Sequence, residues 1–431
     1  MKNIKFFHFA VLLLVPVLSQ CQKPYEITQE NTARILKTLS SDDMKGRQTF
    51  SPDIEKAAAF IESEFSTIGI EPLEGLLDYR QSFNVYSISV ESSSFKLNGK
   101  TVKPENYFTV SDSESFSWNK DDVTVVSIKK DDNLRQKFSE YSSSKEPLLV
   151  LIDVEHKMMF SRYQSYYSRA ARKIELGNAA NVVFLLSNSS VKSLDISVTN
   201  KIDTLEIANI AGKIEGKLKN EFVVFSGHYD HIGIRPAVDG DSVANGANDD
   251  ASGVTAVIEL ARHFKSLKQP ERTLLFVAFT GEEVGGYGSK YFSKQLNPDE
   301  IVAMFNIEMI GKPAVDGPNT AWITGFERSS FGELLQKSTE GSIYTFYPDP
   351  YPQQNLFYRS DNATLARLGV PAHSISTTPI DVDPDYHKVS DEFETIDIPH
   401  MTNTIKAISK AAEGIVSGKD TPTRVDPSEM R

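Results

Sequence analysis

Thiols are almost absent from this sequence: its 431 residues include one cysteine, Cys21. A single thiol closes no internal disulfide and builds no cysteine-ligated zinc finger. Basic residues are outnumbered. Against 58 Asp and Glu stand 46 Lys and Arg, a net charge of −12, which argues against a nucleic-acid groove and against a polybasic membrane patch. The N-terminal apolar run, Phe6–Leu18, is broken by His8 and Pro16 and falls short of the ~20 residues a membrane-spanning helix needs. No Gly-x-Ser-x-Gly elbow occurs, so a serine hydrolase of the α/β type has no candidate nucleophile. No His-Glu-x-x-His occurs either, which excludes single-helix zinc peptidases. There is no internal repeat and no low-complexity tract.

What is present is globular: 40% hydrophobic and 24% charged residues, in a length that accommodates two or three domains. Lys2 and Lys5 ahead of the apolar run give residues 1–20 the form of a secretory signal peptide. Leu18-Ser19-Gln20-Cys21 resembles a bacterial lipoprotein cleavage box, with Gln20 where a small residue is usual. The expectation is an exported protein: a periplasmic or outer-membrane, cell-surface lipoprotein, or else a secreted one. Its membrane contact would run only through a lipid on Cys21.

Residues 21–81 carry helical patterns, Thr28–Leu39 and Pro52–Ile68, the second ended by Gly69. Residues 82–203 change texture, with short β-rich runs at Phe83–Val90, Phe108–Val110, Val123–Ile128, Leu148–Val154 and Val182–Leu186. Asn98-Gly99 is a hairpin signal, and Tyr163–Leu176 looks helical. This stretch reads as an inserted, mostly-β domain. Residues 204–419 alternate apolar strands with helices, the pattern of an α/β domain with a largely parallel sheet. Residues 420–431 read as a flexible C-terminal tail.

Ionisable residues collect where strands end, which is where open α/β sheets bind ligands. Phe222–Phe225 leads to His228-Tyr229-Asp230. Gly246-Ala247-Asn248-Asp249-Asp250 precedes a helix whose N-terminus Asp250 can cap. Thr273–Phe279 leads to Glu282-Glu283, where one carboxylate can hold a metal while its neighbour serves as a base. Glu308 sits in the apolar run Val302–Ile310, where a carboxylate is costly unless paired or coordinated. Tyr386-His387 precedes the last helix. His228, Asp249, Glu283, Glu308 and His387 together are a ligand inventory for two adjacent zinc ions. His231 reads as a neighbour of the site or a surface residue. His263 looks solvent-facing and His373 buried; His156 and His400 have no partner in sequence. The aromatic and proline cluster Tyr344–Tyr358 is either a pocket rim or an ordinary loop.

These strings, with Arg272-Thr273, Gly281–Gly285 and Tyr287-Gly288-Ser289 in the same order, resemble the co-catalytic di-zinc aminopeptidase family. That family includes secreted bacterial leucyl aminopeptidases, glutamate carboxypeptidase II and glutaminyl cyclases. The resemblance implies a three-layer αβα, phosphorylase/hydrolase-like zinc peptidase domain with a mixed, mainly parallel sheet. It implies that His228 and Glu308 hold one zinc, Glu283 and His387 the other, and Asp249 both. Asp230 would fix the tautomer of His228, and Glu282 would be the general base acting on a hydroxide shared by the metals. A cis peptide would follow Asp249, and Tyr358, or another of the nearby tyrosines, would stabilise the oxyanion. The insertion resembles a protease-associated domain. Peptides would be the substrates, most simply cut at their N-terminal residue. A cyclase-like acyltransferase, a carboxypeptidase or dipeptidase, and a non-catalytic binding relative are the alternatives.

Overall fold

A strand covered on both faces has no reason to alternate polar with apolar side chains, and Arg272–Phe279 does not: every residue in it is buried. The computed structural model describes residues 24–177 and 180–430; the apolar leader and Cys21 lie outside them. Helices α1 (Gln29–Leu39) and α2 (Ile54–Ile68) come first. The main sheet then takes β1 (Arg80–Leu97), β2 (Leu194–Ile214), β3 (Leu218–His228), β4 (Arg272–Phe279), β5 (Ile301–Ile307), β6 (Thr320–Ile323), β7 (Thr345–Pro348) and β8 (Ala372–Ser376). Their spatial order is β7-β6-β8-β5-β3-β4-β2-β1. The four central strands, β8, β5, β3 and β4, are mutually parallel; β2 runs antiparallel to β4, and β6 antiparallel to β8. The sheet is mixed with a parallel core, as expected.

Successive residues of β4 feed opposite cores. Leu274, Phe276 and Ala278 join one apolar cluster with Phe225, helices α1 and α2, helix α3 (Ser252–Ser266) and helix α4 (Ile398–Val416). Leu275, Val277 and Phe279 join a second with Phe292 and Leu365 on the other face. Two covered faces around one sheet give the three-layer αβα arrangement.

Between β1 and β2 a second sheet forms, ordered Tyr107–Val110, Val182–Leu186, Leu148–Ile152, Thr124–Ile128. The boundaries expected at 81/82 and 203/204 fall inside β1 and β2. These strands pair continuously from Arg80↔Ile210 to Leu97↔Leu194, with one irregularity at Thr199/Asn200. Asn98 and Gly99 turn the chain with positive φ at both positions. Three local expectations need correction. The helix read at Tyr163–Leu176 runs Lys157–Tyr167 instead, because Ala171–Lys173 is drawn into pairing with β1. Helix α2 begins at Ile54 rather than at Pro52. Residues 420–430 are not a loose tail. The buried Arg272 guanidinium donates to the carbonyls of Ile415 and Asp420 and to Thr421 Oγ1, and Val425 is 2% exposed in the second apolar cluster. Among the described residues, no helix is long and apolar enough to cross a membrane.

One buried cation ties the N-terminal segment to the loops after β3 and before α3. The Arg47 guanidinium is wholly enclosed and donates to four backbone carbonyls: Leu39, Tyr229, Asn245 and Gly246, at 2.6–3.0 Å. Burial pulls its pKa down, while Asp391, Asp249, Asp230 and Asp250 resist that shift. Helix α3 presses close to β5 at Gly253, where a Cβ would meet the Ile307 carbonyl and the Asp250 carboxylate.

Two variants test this framework. Arg47→Met leaves those carbonyls buried without donors and is expected to cost at least ~3 kcal/mol in denaturant unfolding. Gly253→Ala is expected to lower the melting temperature through overpacking worth ~1–3 kcal/mol; an unchanged unfolding curve would show that α3 can retreat from the sheet.

Candidate metal centre and active site

Parallel strands deliver their C-terminal ends to one edge, and the ionisable residues follow them there. His228 ends β3, Glu282 and Glu283 follow β4, and Glu308 follows β5, its amide donating to the Ile375 carbonyl of β8. Glu308 is thus the first residue past the strand rather than a residue within it. Asp249 lies in the turn leading into α3, and His387 in the loop before α4, in a left-handed conformation (φ 57°).

Asp249 is the centre of the arrangement. Its Oδ1 lies 3.2 Å from His228 Nε2 and its Oδ2 lies 3.2 Å from His387 Nε2. Glu283 Oε2 is also 3.2 Å from His387 Nε2. One carboxylate therefore turns its two oxygens toward two different histidines. Its Asp249–Asp250 bond is cis.

The donor chemistry of this cluster fits cations. His228 Nδ1 lies 3.0 Å from the Asp230 carbonyl, which can only accept, so Nδ1 carries a proton. Nε2 is buried and makes no hydrogen bond, leaving its lone pair opposed to Asp249 Oδ1. Two facing lone pairs require positive charge between them, from a proton or a metal. Without a metal the protein meets that demand by protonation. Burial opposes a charge on His228, yet Asp249, Glu282 and Asp250 outweigh it and hold its pKa well above the ordinary value. Asp249, despite its burial, is held well below its ordinary value by His228 and His387. Contacts with Asp249 and Glu283 push His387 up to about 10.

Asp230 was expected to orient His228 through its carboxylate. Its carbonyl does so instead, with Oδ1 at 3.8 Å from Nδ1. The carboxylate has other work: it accepts from Thr49 Oγ1 and from the backbone amides of Glu282 and Glu283. Asp250 accepts from the amides of Gly253, His228 and Met309, so the expected helix cap also ties two strand ends together.

Glu282 lines the cavity beside the cluster. Burial first, then the neighbouring Glu308, Asp361 and Glu283, raise its pKa well above the ordinary carboxylate range. That cavity, of about 250 Å³, is walled by Trp322, Leu356, Ile380 and Tyr386 together with Asp249, Glu283, Glu308 and His387. Tyr358, the residue expected at the oxyanion, is not part of its lining. The Tyr358 ring packs on the second apolar cluster, with Arg328 over its face at 5.7 Å. Tyr386 lines the cavity instead, stacked on His387 at 4.0 Å between ring centroids.

Of its two readings, His231 takes that of a neighbour of the site, whereas Asp391 and Arg47 escaped the sequence reading. His231 is 1% exposed, with Nδ1 2.8 Å from Glu283 Oε1 and 3.9 Å from Asp249 Oδ2. His231, Asp249 and Glu283 present ligand atoms within 4.8 Å of one another. Asp391 accepts from the amides of Asn248 and Asp249 and so fixes the central loop; burial raises it to about 6. Its position four residues after His387 was the available signal. Arg47 carried none, because its partners are backbone atoms. His373 is buried as expected; its Nδ1 donates to the Thr324 carbonyl and its Nε2 lies 2.7 Å from Ser329 Oγ. His263, expected in solvent, is half-buried with Nδ1 3.2 Å from the Tyr25 carbonyl.

Known proteins resemble this chain in both sequence and shape. Residues 209–412 match the family model described as Peptidase family M28. A probable zinc metalloprotease of Pyrenophora teres f. teres (strain 0-1) is 35% identical over 130 residues, 29% of this chain and 26% of that protein. The vacuolar membrane protease of Schizosaccharomyces pombe is 29% identical over 152 residues, 34% of this chain and 16% of that one. The chain thus spans about a quarter or less of the length of these curated relatives. Among solved structures, the aminopeptidase from Aneurinibacillus sp. strain AM-1 superposes with a TM-score of 0.54 at 18% identity, covering 94% of this chain and 96% of that chain. BSAP, a zinc aminopeptidase from Bacillus subtilis, gives 0.55 at 16% identity, covering 95% and 100%. At such identities the likeness is one of fold. Residues 209–412, the stretch that matches the Peptidase family M28 model, carry every ligand candidate and Glu282.

Proposed function

We propose that this protein is a zinc-dependent exopeptidase, most directly an aminopeptidase, that holds two zinc ions and uses Glu282 as general base. The observation that carries the reading is the division of Asp249 between two histidines, each 3.2 Å from a different oxygen. His228, Asp249 and Glu308 would hold one ion, and Asp249, Glu283 and His387 the other, with His231 braced against Glu283. The match of residues 209–412 to the Peptidase family M28 model and the zinc metalloprotease names of the relatives support the same reading.

Bound there, zinc would bring the pKa of water toward ~7 and polarise a peptide carbonyl. The protein's own groups do the rest. Glu282, held above the ordinary carboxylate range by burial, takes a proton from the attacking water and returns it to the leaving amine. Asp230 holds the Glu282 and Glu283 amides in place through its carboxylate. The Tyr386 hydroxyl, on the cavity wall, is the donor placed to meet the developing oxyanion, the part first assigned to Tyr358. The fold shared with two aminopeptidases of known structure supports an N-terminal residue as the proposed substrate. The Leu18–Cys21 box, which favours export, is compatible with peptides outside the cytoplasm as substrates.

Glu282→Gln is expected to retain about two zinc per chain by elemental analysis while kcat on aminoacyl reporter amides falls ~10²–10⁴-fold. Wild-type turnover in that variant would remove Glu282 from the mechanism. Asp249→Ala, which deletes the shared ligand, is expected to lose both metal and activity. Full zinc content in Asp249→Ala would refute the shared position.

A further inference from the structure

Among the residues lining the cavity, Arg359 is the single lysine or arginine. Several arginines of this acidic chain pair with carboxylates: Arg34 with Glu64, Arg80 with Glu55 and Glu62, and Arg272 with Glu221. Arg359 has none within ion-pair distance among the described residues. Its side chain instead donates from Nη1 to Gln354 Oε1 at 3.3 Å, and Gln354 Nε2 donates to Asp381 Oδ1 at 2.7 Å. The exposed guanidinium is braced by a neutral amide and, among the described residues, has no protein carboxylate as its partner.

Its backbone is fixed on both sides. On one side, Asn362 Nδ2 donates to the Phe357 carbonyl, and Arg328 covers the rings of Phe357 and Tyr358. On the other, Ser360 Oγ accepts from Asn306 Nδ2, next to Glu308. Trp322, Leu356 and Ile380 supply apolar wall in the same cavity. A guanidinium beside apolar surface binds a planar anion more strongly than one in open water, and its fork matches a carboxylate bidentately. The carboxylates of the same cavity already have roles in the reading above, Asp249, Glu283 and Glu308 toward the metals and Glu282 as base, so the group that answers Arg359 comes from outside.

We infer that Arg359 is a specificity-determining residue that receives a substrate carboxylate. The cavity then selects peptides with an anionic group within about one residue of the scissile bond. That carboxylate has two possible sources: the acidic side chain of an N-terminal Glu or Asp, or the free α-carboxylate of a dipeptide. The inference rests on the exopeptidase reading above and narrows its substrate class.

The test uses the zinc-loaded full chain and four substrates: glutamyl and leucyl p-nitroanilides, and the dipeptide Leu-Gly with its C-terminal amide. One carboxylate-bearing member is expected to exceed its neutral counterpart in kcat/KM, and which pair separates identifies the source. Arg359→Gln should raise KM for the favoured substrate ~10–100-fold, with kcat and the neutral counterpart little changed, and Arg359→Lys should recover part of the loss. Equal treatment of all four by the wild type overturns the inference while leaving the peptidase reading intact. So does a uniform fall in kcat in Arg359→Gln, which would mark an oxyanion or structural role. Failure to cleave any of the four overturns the peptidase reading and this inference with it.

Discussion

Carboxylates do not gather in a low-dielectric interior unless positive charge is placed among them, and the design of this protein follows from that demand. Asp230, Asp249, Asp250 and Asp391 are all buried around one strand edge, with Glu282 and Glu283 beside them. Protein groups meet part of the demand with backbone amides: Asp230, Asp250 and Asp391 each accept from two or more peptide N–H groups. These three are anchored anions. Asp249 and Glu283 are different, since their side-chain partners are histidines whose unshared nitrogens would otherwise compete with them. The division between anchored and histidine-facing carboxylates separates the scaffold of the site from the part suited to cations.

Arg47 extends the same logic at one remove. Its guanidinium stands among the acidic loops but spends its protons on carbonyls, so it compensates charge through space while stitching two loops and the end of α1 together. A carboxylate partner would have neutralised it locally. Carbonyl partners leave its field available to the whole cluster.

The fold was legible because β4, β5 and the second half of β3 are short, apolar and buried on both faces, and because each ends in ionisable residues that have no other reason to follow such a strand. The same logic made His228, Glu282, Glu283 and Glu308 visible, and the turn before α3 made Asp249 so. Tyr386 and Tyr358 could not be ranked by sequence: one lies in an aspartate-rich loop and the other in an aromatic, proline-rich one, and only the structure puts the first on the cavity wall, stacked on His387. The helix at Lys157–Tyr167 was displaced in the reading because cross-strand pairing of Ala171–Lys173 with β1 overrides local propensity. The C-terminal stretch looked loose because Thr, Pro and Asp are common in tails, whereas its anchor, Arg272, lies far back in the chain.

The ladder joining β1 to β2 leaves the second sheet without a linker. A pendant unit on a flexible tether diffuses around its attachment point, but this one is carried at the tip of a hydrogen-bonded ribbon whose pairs run unbroken except at Thr199/Asn200. Whatever docks on that outer unit would therefore be presented to the rest of the molecule at a set bearing. The discontinuity at Thr199/Asn200 is the natural place to splice in a foreign recognition module while keeping the aim.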